Sequence, residues 1–379
     1  MHNLRTQYDA HHRALLADLA GQARYRRLAG RAGVDFSSND YLALAGSAQI
    51  ASAVGDALDR GVPAGSGGSR LLRGNDPEHE VLEEEAAQFF GAEAALFFSS
   101  GFAGNACLFA TLPQRGDLVV HDALIHASAH EGMRLGRAEC FAAAHNDPQA
   151  FADTIVAWRA RGGRGRVWIA VESLYSMDGD MAPLDAFQAL ADDHDAFLLI
   201  DEAHATGVFG PQGRGLAAHL DGLENVITLR TCGKALGCEG ALITGPAFVR
   251  DFLINRGRGF IFTTAPSPLM ASAVRAALRV LADEPERREA LSALVGHART
   301  MLQPLGARCH GSQVIPIVIG DDARTMTVAA AIQQAGFDVR GIRPPTVPAG
   351  TARLRVAITL NANMADVTSL ASAIESALA

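Results

Sequence analysis

The sequence predicts an α/β fold in its first part and a smaller α+β unit after about residue 285. The chain has 379 residues, which is enough for about two domains. In the first part, short apolar runs alternate with stretches of helical periodicity. This pattern is typical of buried parallel strands that are covered by helices. After about residue 285 this regular alternation of apolar runs and helical stretches ends. The six apolar runs lie at 95–98, 118–120, 167–171, 197–200, 226–229 and 241–244.

The other elements are predicted from local signals. Apolar and basic residues recur at helical spacing over 5–28, which predicts an amphipathic arm. Asp76 and Pro77 predict the start of a helix that ends at Gly91. Near the C-terminus we expect a long helix, a strand at 314–319, a helix ending at Gly336, a strand pair at 337–342 and 353–359, and a final helix.

These elements divide the chain into three predicted parts. An N-terminal arm, which includes a short strand, is expected to be followed by a large ligand-binding domain and a small C-terminal domain. The predicted boundaries are 1–45, 46–283 and 284–379.

The composition narrows the class of protein. Hydrophobic residues make up 49% and charged residues 20%, as in soluble globular proteins. The net charge of −8 argues against a nucleic-acid-binding surface, which needs clustered cations. The sequence shows neither a signal peptide nor a long apolar stretch, and its odd number of cysteines without a CxxC pair favours a reducing compartment. A cytoplasmic enzyme is therefore expected. The cysteines are Cys107, Cys140, Cys232, Cys238 and Cys309.

A carboxylate follows one of the predicted buried strands. The run at 197–200 leads into Asp201, Glu202, Ala203 and His204. Ligands bind at the carboxyl ends of strands in open α/β sheets, and a carboxylate there can keep the nitrogen of a heterocyclic ring protonated. The alternative role for Asp201 is a helix N-cap. Asp-Glu-Ala-His also occurs in helicases, but the phosphate-binding motif GxxxxGK[ST] that these need is absent upstream.

The strand predicted at 226–229 leads to a lysine among small residues. Lys234 lies between Gly233 and Ala235. A surface lysine is the alternative, but the preceding apolar strand and the neighbouring glycine predict a crowded pocket. Desolvation in such a pocket favours the neutral amine, which is the form that attacks an aldehyde. Thr231, three residues earlier, is a candidate to bind a phosphate.

Two further segments contain candidate ligand-binding residues. Gly101 and Phe102 lie at a predicted helix start, where N–H groups bind anions, although a tight packing turn is equally consistent with the pattern. His126 is a candidate to stack on a cofactor ring, and an ordinary core or surface histidine is the alternative. No metal site is predicted, because neither HExxH nor a cysteine partner accompanies the histidines at 121, 126, 130 and 145.

Together these segments resemble the α-oxoamine synthases, a family of pyridoxal-phosphate enzymes with the aspartate aminotransferase fold. Asp-Glu-Ala-His at 201–204, followed roughly 30 residues later by Thr-x-Gly-Lys at 231–234, matches the family pattern. The resemblance extends over most of the chain. Further landmarks are SSNDYL at 37–42, GSGGSR at 65–70, HD-x3-HAS at 121–128, SMDGD-x2-PL at 176–184 and G-x5-GRG at 207–215.

The resemblance implies a fold, a cofactor and a set of catalytic roles. The implied fold has a three-layer large domain with a mainly parallel seven-stranded sheet, a smaller α+β C-terminal domain and an N-terminal arm. The implied cofactor is pyridoxal 5'-phosphate, bound covalently by Lys234 with Asp201 at its ring nitrogen. His126 would stack on the ring and contact substrate, and His204 and Ser176 would bond near the ring oxygen. Phosphate-binding roles are implied for Gly101, Phe102 and Thr231, with Thr263 and Thr264 contributing from a neighbouring subunit.

The resemblance also implies substrates and a homodimer with shared active sites. Arg343 would clamp the amino-acid carboxylate, Thr346 would line the pocket, and Asn39 would approach from the partner chain. Of Arg24, Arg26 and Arg27 in the arm, Arg26 would reach the acyl substrate, and an arginine two positions away is the alternative. The segment IRPPTVPAGTARLR at 342–355 is similar to the branch that joins L-alanine to pimeloyl-CoA, or to its carrier-protein thioester, in biotin synthesis.

Three alternatives remain open at this point. A sister branch of the family would use glycine or serine with another acyl-CoA. A non-enzymatic cofactor-binding module of the same fold would need Lys234 but not Arg343. A nicotinamide-dependent dehydrogenase would share the α/β pattern, but no GxGxxG follows the first predicted strand.

Overall fold

The computed structural model of the protein describes residues 9–379, which form two compact units. The large unit comprises 39–176 and 180–290. The small unit comprises the described residues up to Ser38, together with 177–179 and 291–379. The boundaries at 45/46 and 283/284 stay predictions. Residues 5–8 of the predicted arm lie outside the described residues.

Strands are numbered in chain order over residues 9–379. They are β1 (Val34–Asp35), β2 (Ala94–Phe98), β3 (Leu118–Asp122), β4 (Glu139–Ala143), β5 (Val167–Glu172), β6 (Phe197–Asp201), β7 (Val226–Thr231), β8 (Ala241–Gly245), β9 (Val314–Gly320), β10 (Phe337–Asp338), β11 (Arg340–Ile342) and β12 (Ala352–Ala357).

Helices are numbered in the same way. They are α1 (Ala10–Gly21), α2 (Ala48–Asp59), α3 (Pro77–Phe90), α4 (Gly101–Thr111), α5 (Ala127–Leu135), α6 (Pro148–Ala160), α7 (Leu184–Asp193), α8 (Ala247–Arg256), α9 (Arg258–Ile261), α10 (Pro268–Asp283), α11 (Pro285–Leu302), α12 (Asp322–Gln334) and α13 (Met364–Leu378). No helix of residues 9–379 combines the length and the apolar character needed to cross a membrane.

The large unit is built on one seven-stranded sheet with the order β2-β8-β7-β6-β5-β3-β4. The five strands from β7 to β4 are parallel to one another. Strand β8 is antiparallel to both of its neighbours, β7 and β2. The expectation of a mainly parallel seven-stranded sheet is therefore confirmed.

Helices cover both faces of this sheet. In β3, Val119 belongs to a core cluster with Leu108 of α4, whereas Leu118 and Val120 belong to a second cluster with Phe151 of α6. Successive strand residues point to opposite faces, so a sheet covered on both sides requires apolar residues at consecutive positions. Fully burying one such Leu or Val side chain contributes roughly 1.5–3 kcal/mol. This requirement explains why the central strands appear in the sequence as short apolar runs.

Sequence analysis did not predict β4. This strand lies at the edge of the sheet and pairs only with β3. Glu139 and Ala142 are exposed, and only Ala143 is buried. An edge strand that is partly exposed needs no continuous apolar run, which is why the signal that identified its neighbours is missing.

The helix predicted between Asp76 and Gly91 is confirmed as α3. The Asp76 side chain accepts a hydrogen bond from the N–H of Glu78, and Pro77 is the first helical residue. Gly91 ends the helix in a left-handed conformation with φ of 73°. Glycine adopts this conformation without the steric cost that a side chain would add.

The small unit contains an antiparallel sheet of order β11-β12-β9 and a parallel pair, β1 with β10. The strand predicted at 337–342 is divided by Val339, whose N–H bonds to the carbonyl of Phe337 at 3.0 Å. As a result, β10 pairs with β1, whereas β11 pairs with β12. Long-range pairing, which sequence periodicity does not report, decides this division.

Candidate active site

Polar side chains lie at the carboxyl ends of three neighbouring strands in the large unit. Glu172 ends β5, Asp201 ends β6 and Thr231 ends β7. Glu172 and Asp201 are paired in the register of the two strands. Because β5, β6 and β7 are parallel, these residues share the edge at which α/β sheets bind ligands.

Lys234 is half-buried in the loop after β7 and is the only lysine in the sequence. Its Nζ lies 2.8 Å from Nε2 of His204. The Nδ1 of His204 lies 2.6 Å from the Tyr41 hydroxyl, which donates to Oδ1 of Asn39 at 3.0 Å. Because Tyr41 donates to Asn39, its oxygen is available to accept from Nδ1 of His204. Nε2 of His204 is then the nitrogen that accepts from Lys234.

Both carboxylate oxygens of Asp201 have partners. Oδ1 accepts from the N–H of Ala203 at 2.9 Å, which is a local turn contact like that of an N-cap. Oδ2 accepts from Nδ2 of Asn105, in α4, at 2.6 Å. The capping role that was the alternative for Asp201 therefore accounts for one oxygen, and the second oxygen bonds to another element.

His126 is the N-cap residue of α5. Its Nδ1 accepts from the N–H of Ser128 at 3.3 Å and lies 2.8 Å from Oγ of the same serine. Burial lowers the pKa of His126, the charge of Lys234 acts in the same direction, and that of Asp201 opposes them. The lowered pKa favours the neutral imidazole around pH 7.

The N-terminus of α4 lies beside the end of β7. A Cβ built on Gly101 would be 3.4 Å from Oγ1 of Thr231. The Ser100 side chain caps the helix by accepting from the N–H of Ala103 at 3.1 Å. The N–H groups of Gly101 and Phe102 belong to the first turn, where N–H groups have no partner inside the helix. Such a turn beside a hydroxyl is suited to an anion.

Glu172 is a residue of this site that sequence analysis missed. Its Oε2 accepts from the N–H of Ser176 at 3.3 Å, and Oε1 has no hydrogen-bond partner among residues 9–379. Burial raises the pKa of Glu172 well above its usual range, the Asp201 carboxylate adds to this rise, and Lys234 opposes it. The sequence signal was available, because Glu172 follows the apolar run at 167–171 just as Asp201 follows the run at 197–200. Asn105, Ser128 and Tyr41 were given no role either, although Ser128 and Tyr41 lie in two of the family landmarks, since contacts between elements show how these residues take part in the site.

The histidines that were considered as metal ligands have other contacts. No cluster of three or more His, Cys, Asp or Glu suited to a metal ion is found in the described part of the chain. His145 lies between Oδ1 of Asp122 at 2.8 Å and Oδ2 of Asp180 at 2.7 Å. Burial alone would lower the pKa of His145, but its hydrogen bonds to these two carboxylates raise it to about 10.

The raised pKa of His145 predicts how the free energy of unfolding depends on pH. His145 binds its proton more tightly in the folded chain than in the unfolded chain, so its contribution to the free energy of unfolding is full below about pH 6.5 and is lost as the pH rises through about 10. We expect His145→Gln to flatten this decline in urea unfolding followed by circular dichroism. His219→Gln, which removes an exposed partner of Asp185, serves as the control. A His145→Gln chain with the pH dependence of the wild type would contradict the assignment.

Three predicted substrate-binding residues lie in the small unit. Arg26 donates through Nη2 to Oγ1 of Thr346 at 3.3 Å. Burial lowers the pKa of Arg343, and the charge of Arg26 lowers it further. Arg24, two residues before Arg26, is instead paired with Asp322 at 2.7 Å.

The predicted site residues are thus divided between the two units. Thr263 and Thr264 are exposed and lie between α9 and α10, away from any regular element. Eight of the predicted residues in the large unit each contact or interact electrostatically with another residue of the site. They are Asn39, Gly101, His126, Ser176, Asp201, His204, Thr231 and Lys234.

Comparisons with known proteins show the family of the chain and its similarity to solved structures. The family Aminotransferase class I and II matches residues 31–374. The 8-amino-7-oxononanoate synthase of Anaeromyxobacter dehalogenans is 42% identical over 356 residues, which cover 93% of this chain and 88% of the relative. That of Geobacter sulfurreducens is 43% identical over 349 residues, covering 90% and 88%. A serine palmitoyltransferase structure from S. paucimobilis with a bound PLP–myriocin aldimine has a TM-score of 0.89, 24% identity and 98% coverage of both chains.

Proposed function

Because the chain belongs to the class I and II aminotransferase family, in the same α-oxoamine synthase group as its 8-amino-7-oxononanoate synthase relatives, we propose that it joins L-alanine to a pimeloyl thioester. The products are 8-amino-7-oxononanoate, CO2 and the free thiol, and the reaction belongs to biotin biosynthesis. The acyl donor is pimeloyl-CoA or its carrier-protein thioester. The observation that carries the proposal is the position of Lys234, the single lysine, with its Nζ 2.8 Å from His204 at the edge where Asp201 ends β6.

The residues of the large unit fit pyridoxal 5'-phosphate. The amine of Lys234 suits its aldehyde, and the carboxylate of Asp201 suits its ring nitrogen. The open helix terminus at Gly101, with the hydroxyl of Thr231 beside it, suits its phosphate. When bound, this cofactor supplies an aldehyde that takes up amines and a ring that withdraws electrons from the reacting carbon.

Four side chains would act around the cofactor ring. Lys234 would hold the aldehyde through Nζ and would accept the proton that leaves Cα of alanine. Asp201 would keep a proton on the ring nitrogen, since an adjacent negative charge favours the cation. His126 would stack on the ring face. His204, which already contacts Nζ of Lys234, would hydrogen-bond near the ring oxygen together with Ser176.

The remaining predicted residues would bind the phosphate and the substrates. The N–H groups of Gly101 and Phe102 and the hydroxyl of Thr231 would bind the phosphate, with Thr263 and Thr264 contributing from a second copy of the chain. Arg343 would bind the alanine carboxylate through its planar guanidinium, and Thr346 would line the substrate pocket. Asn39, which accepts from Tyr41 within its own chain, would also act in the site of the partner. The ion pair between Arg24 and Asp322 supports Arg26 as the arginine that reaches the acyl substrate.

A homodimer with shared active sites and a cytoplasmic location belong to the same proposal. The family resemblance supports the dimer, and all five cysteines are free, which is compatible with a reducing compartment. Light scattering of the purified protein is expected to give twice the mass of one chain. The mass of a single chain would contradict the dimer.

A substrate panel tests the function. We expect the highest kcat/KM with L-alanine and a pimeloyl thioester, measured by mass spectrometry of the product against glycine and serine and against acetyl- and palmitoyl-CoA. Serine with palmitoyl-CoA is included because the serine palmitoyltransferase structure is similar in fold. Preference for glycine or serine with another acyl-CoA would assign the chain to a sister synthase. A cofactor-loaded protein that is inert toward every amino acid would indicate a binding module.

Replacing the proposed carboxylate clamp should affect one substrate only. We expect Arg343→Ala to raise KM for L-alanine by on the order of tenfold to a hundredfold, because a charge-assisted bidentate contact is lost. KM for the pimeloyl thioester should change little in steady-state assays.

Arg26→Ala provides the matched control for this experiment, since it removes another arginine of the same unit. It should raise KM for the thioester and leave KM for alanine near the wild-type value. If Arg343→Ala instead raised only KM for the thioester, the roles of the two arginines would have to be exchanged.

A further inference from the structure

Asn105 and Ser128 connect Asp201 to His126 through three hydrogen bonds. Nδ2 of Asn105 lies 2.6 Å from Oδ2 of Asp201 and 3.0 Å from Oγ of Ser128. Oγ of Ser128 in turn lies 2.8 Å from Nδ1 of His126. Ser128 has no exposed surface and Asn105 is 4% exposed, so these two connecting residues are shielded from bulk water.

The direction of each bond follows from Asp201. An ionised carboxylate only accepts hydrogen bonds, so Asn105 turns its NH2 group toward Asp201. The same NH2 group donates to Oγ of Ser128, so the serine hydroxyl hydrogen is free to be donated to Nδ1 of His126.

A second contact reaches the same nitrogen of His126. The backbone N–H of Ser128 lies 3.3 Å from Nδ1. A backbone N–H cannot accept a hydrogen bond, so this contact requires a lone pair on Nδ1. The hydroxyl and the backbone of Ser128 therefore both donate to Nδ1, and the hydrogen of the neutral ring must lie on Nε2.

We propose that Asn105 and Ser128 are positioning residues that hold His126 as the neutral tautomer with its hydrogen on Nε2. The importance of Asn105 and Ser128 for catalysis rests on the proposed function, in which His126 contacts the cofactor ring and the substrate. An imidazole in this state donates a hydrogen bond through Nε2 and has no free lone pair there. His126 is therefore not the group that accepts the proton from Cα of alanine, and Lys234 keeps that role.

The charged and titratable groups around His126 are compatible with this state. Asp201 at the end of β6, Lys234 after β7 and His130 on α5 interact electrostatically with His126. Burial and Lys234 disfavour the imidazolium, whereas Asp201 favours it. Protonation of Nδ1 would also break the bond donated by the Ser128 hydroxyl, so the hydroxyl adds to the preference for the neutral ring.

Nitrogen-15 NMR of the full chain, labelled in its histidine rings, reports which nitrogen carries a hydrogen. The chain has 13 histidines, and His126→Gln identifies the signals of His126 by their loss. At neutral pH, with or without pyridoxal phosphate, we expect a hydrogen on Nε2 and none on Nδ1. A hydrogen on Nδ1, or on both nitrogens, would overturn the proposal. This readout does not depend on turnover, so an inactive wild type would count against the proposed function alone.

Variants at Ser128 test the positioning role. Ser128→Ala removes the 2.8 Å hydroxyl contact with Nδ1 and leaves only the longer backbone contact of 3.3 Å, which holds the tautomer more weakly. We therefore expect mixed tautomers, an upward shift in the titration of His126, and a kcat lower by about tenfold with little change in KM for alanine. Ser128→Thr keeps the hydroxyl and should restore the wild-type tautomer. Ser272→Ala is the matched control, since it removes a buried hydroxyl that bonds to Glu78 at 2.6 Å, and it should change neither readout. A Ser128→Ala chain that keeps the pure Nε2–H tautomer would refute the role of Ser128.

Discussion

Lys234→Ala is expected to abolish synthesis of the amino ketone and covalent retention of pyridoxal phosphate. No other lysine in the chain can replace the lost amine, because Lys234 is the only one. Intact-protein mass spectrometry after borohydride reduction measures the retention. The wild type should gain the mass of one reduced cofactor, and a peptide map should locate it at Lys234. The Lys234→Ala chain should keep its unmodified mass.

The low lysine content makes this experiment unusually specific, since only the terminal amine competes for the aldehyde. His204→Gln is an informative companion, because it removes the side chain that contacts Nζ but leaves the amine in place. It should still gain the cofactor mass. Product formation by Lys234→Ala, or a cofactor located elsewhere in the peptide map, would remove the basis of the proposed mechanism.

Asp201→Asn is expected to leave the cofactor bound and to slow removal of the α-proton of alanine by on the order of a hundredfold. A neutral amide does not favour a protonated ring nitrogen, so the ring would withdraw electrons less strongly. Exchange of the alanine α-proton with deuterated solvent, followed by proton NMR without thioester, isolates this step. Borohydride reduction should still add the cofactor mass, because Lys234 is intact.

Asp185→Asn is the control for loss of a carboxylate, since Asp185 pairs with His219 and its side chain is 90% exposed. Its exchange rate should match that of the wild type. An Asp201→Asn chain that exchanges the α-proton at the wild-type rate would show that the carboxylate is not needed at the ring nitrogen.

The central strands could be predicted because burial on both faces of the sheet requires an apolar residue at every consecutive position. The apolar runs at 118–120, 167–171 and 197–200 correspond to β3, β5 and β6. Strand β4 was missed because an edge strand carries no such constraint. The division of the run at 337–342 was missed because partners distant in sequence, β1 and β12, determine which residues pair.

The candidate site was predicted to the extent that its residues lie at strand ends or in recognisable motifs. Asp201 and Lys234 each follow an apolar strand, so local sequence was enough to select them. Glu172 gives the same kind of signal but lies outside the motif that drew attention to Asp201. Asn105 was not selected, because an asparagine within a helix has no distinctive sequence pattern. Ser128 belongs to the landmark HD-x3-HAS, but its contact with Asn105 is not visible in the sequence.

The sequence by itself determined the layered α/β architecture, the candidate amine and carboxylate, and the family, because these depend on residue types at short spacings. The tertiary structure alone decided which side chains meet. Asn105 and Asp201 are 96 positions apart yet share a 2.6 Å hydrogen bond, and Lys234 reaches His204 across 30 positions. Hydrogen bonds act over about 3 Å, so the protonation state of each site residue depends on neighbours that only folding brings together.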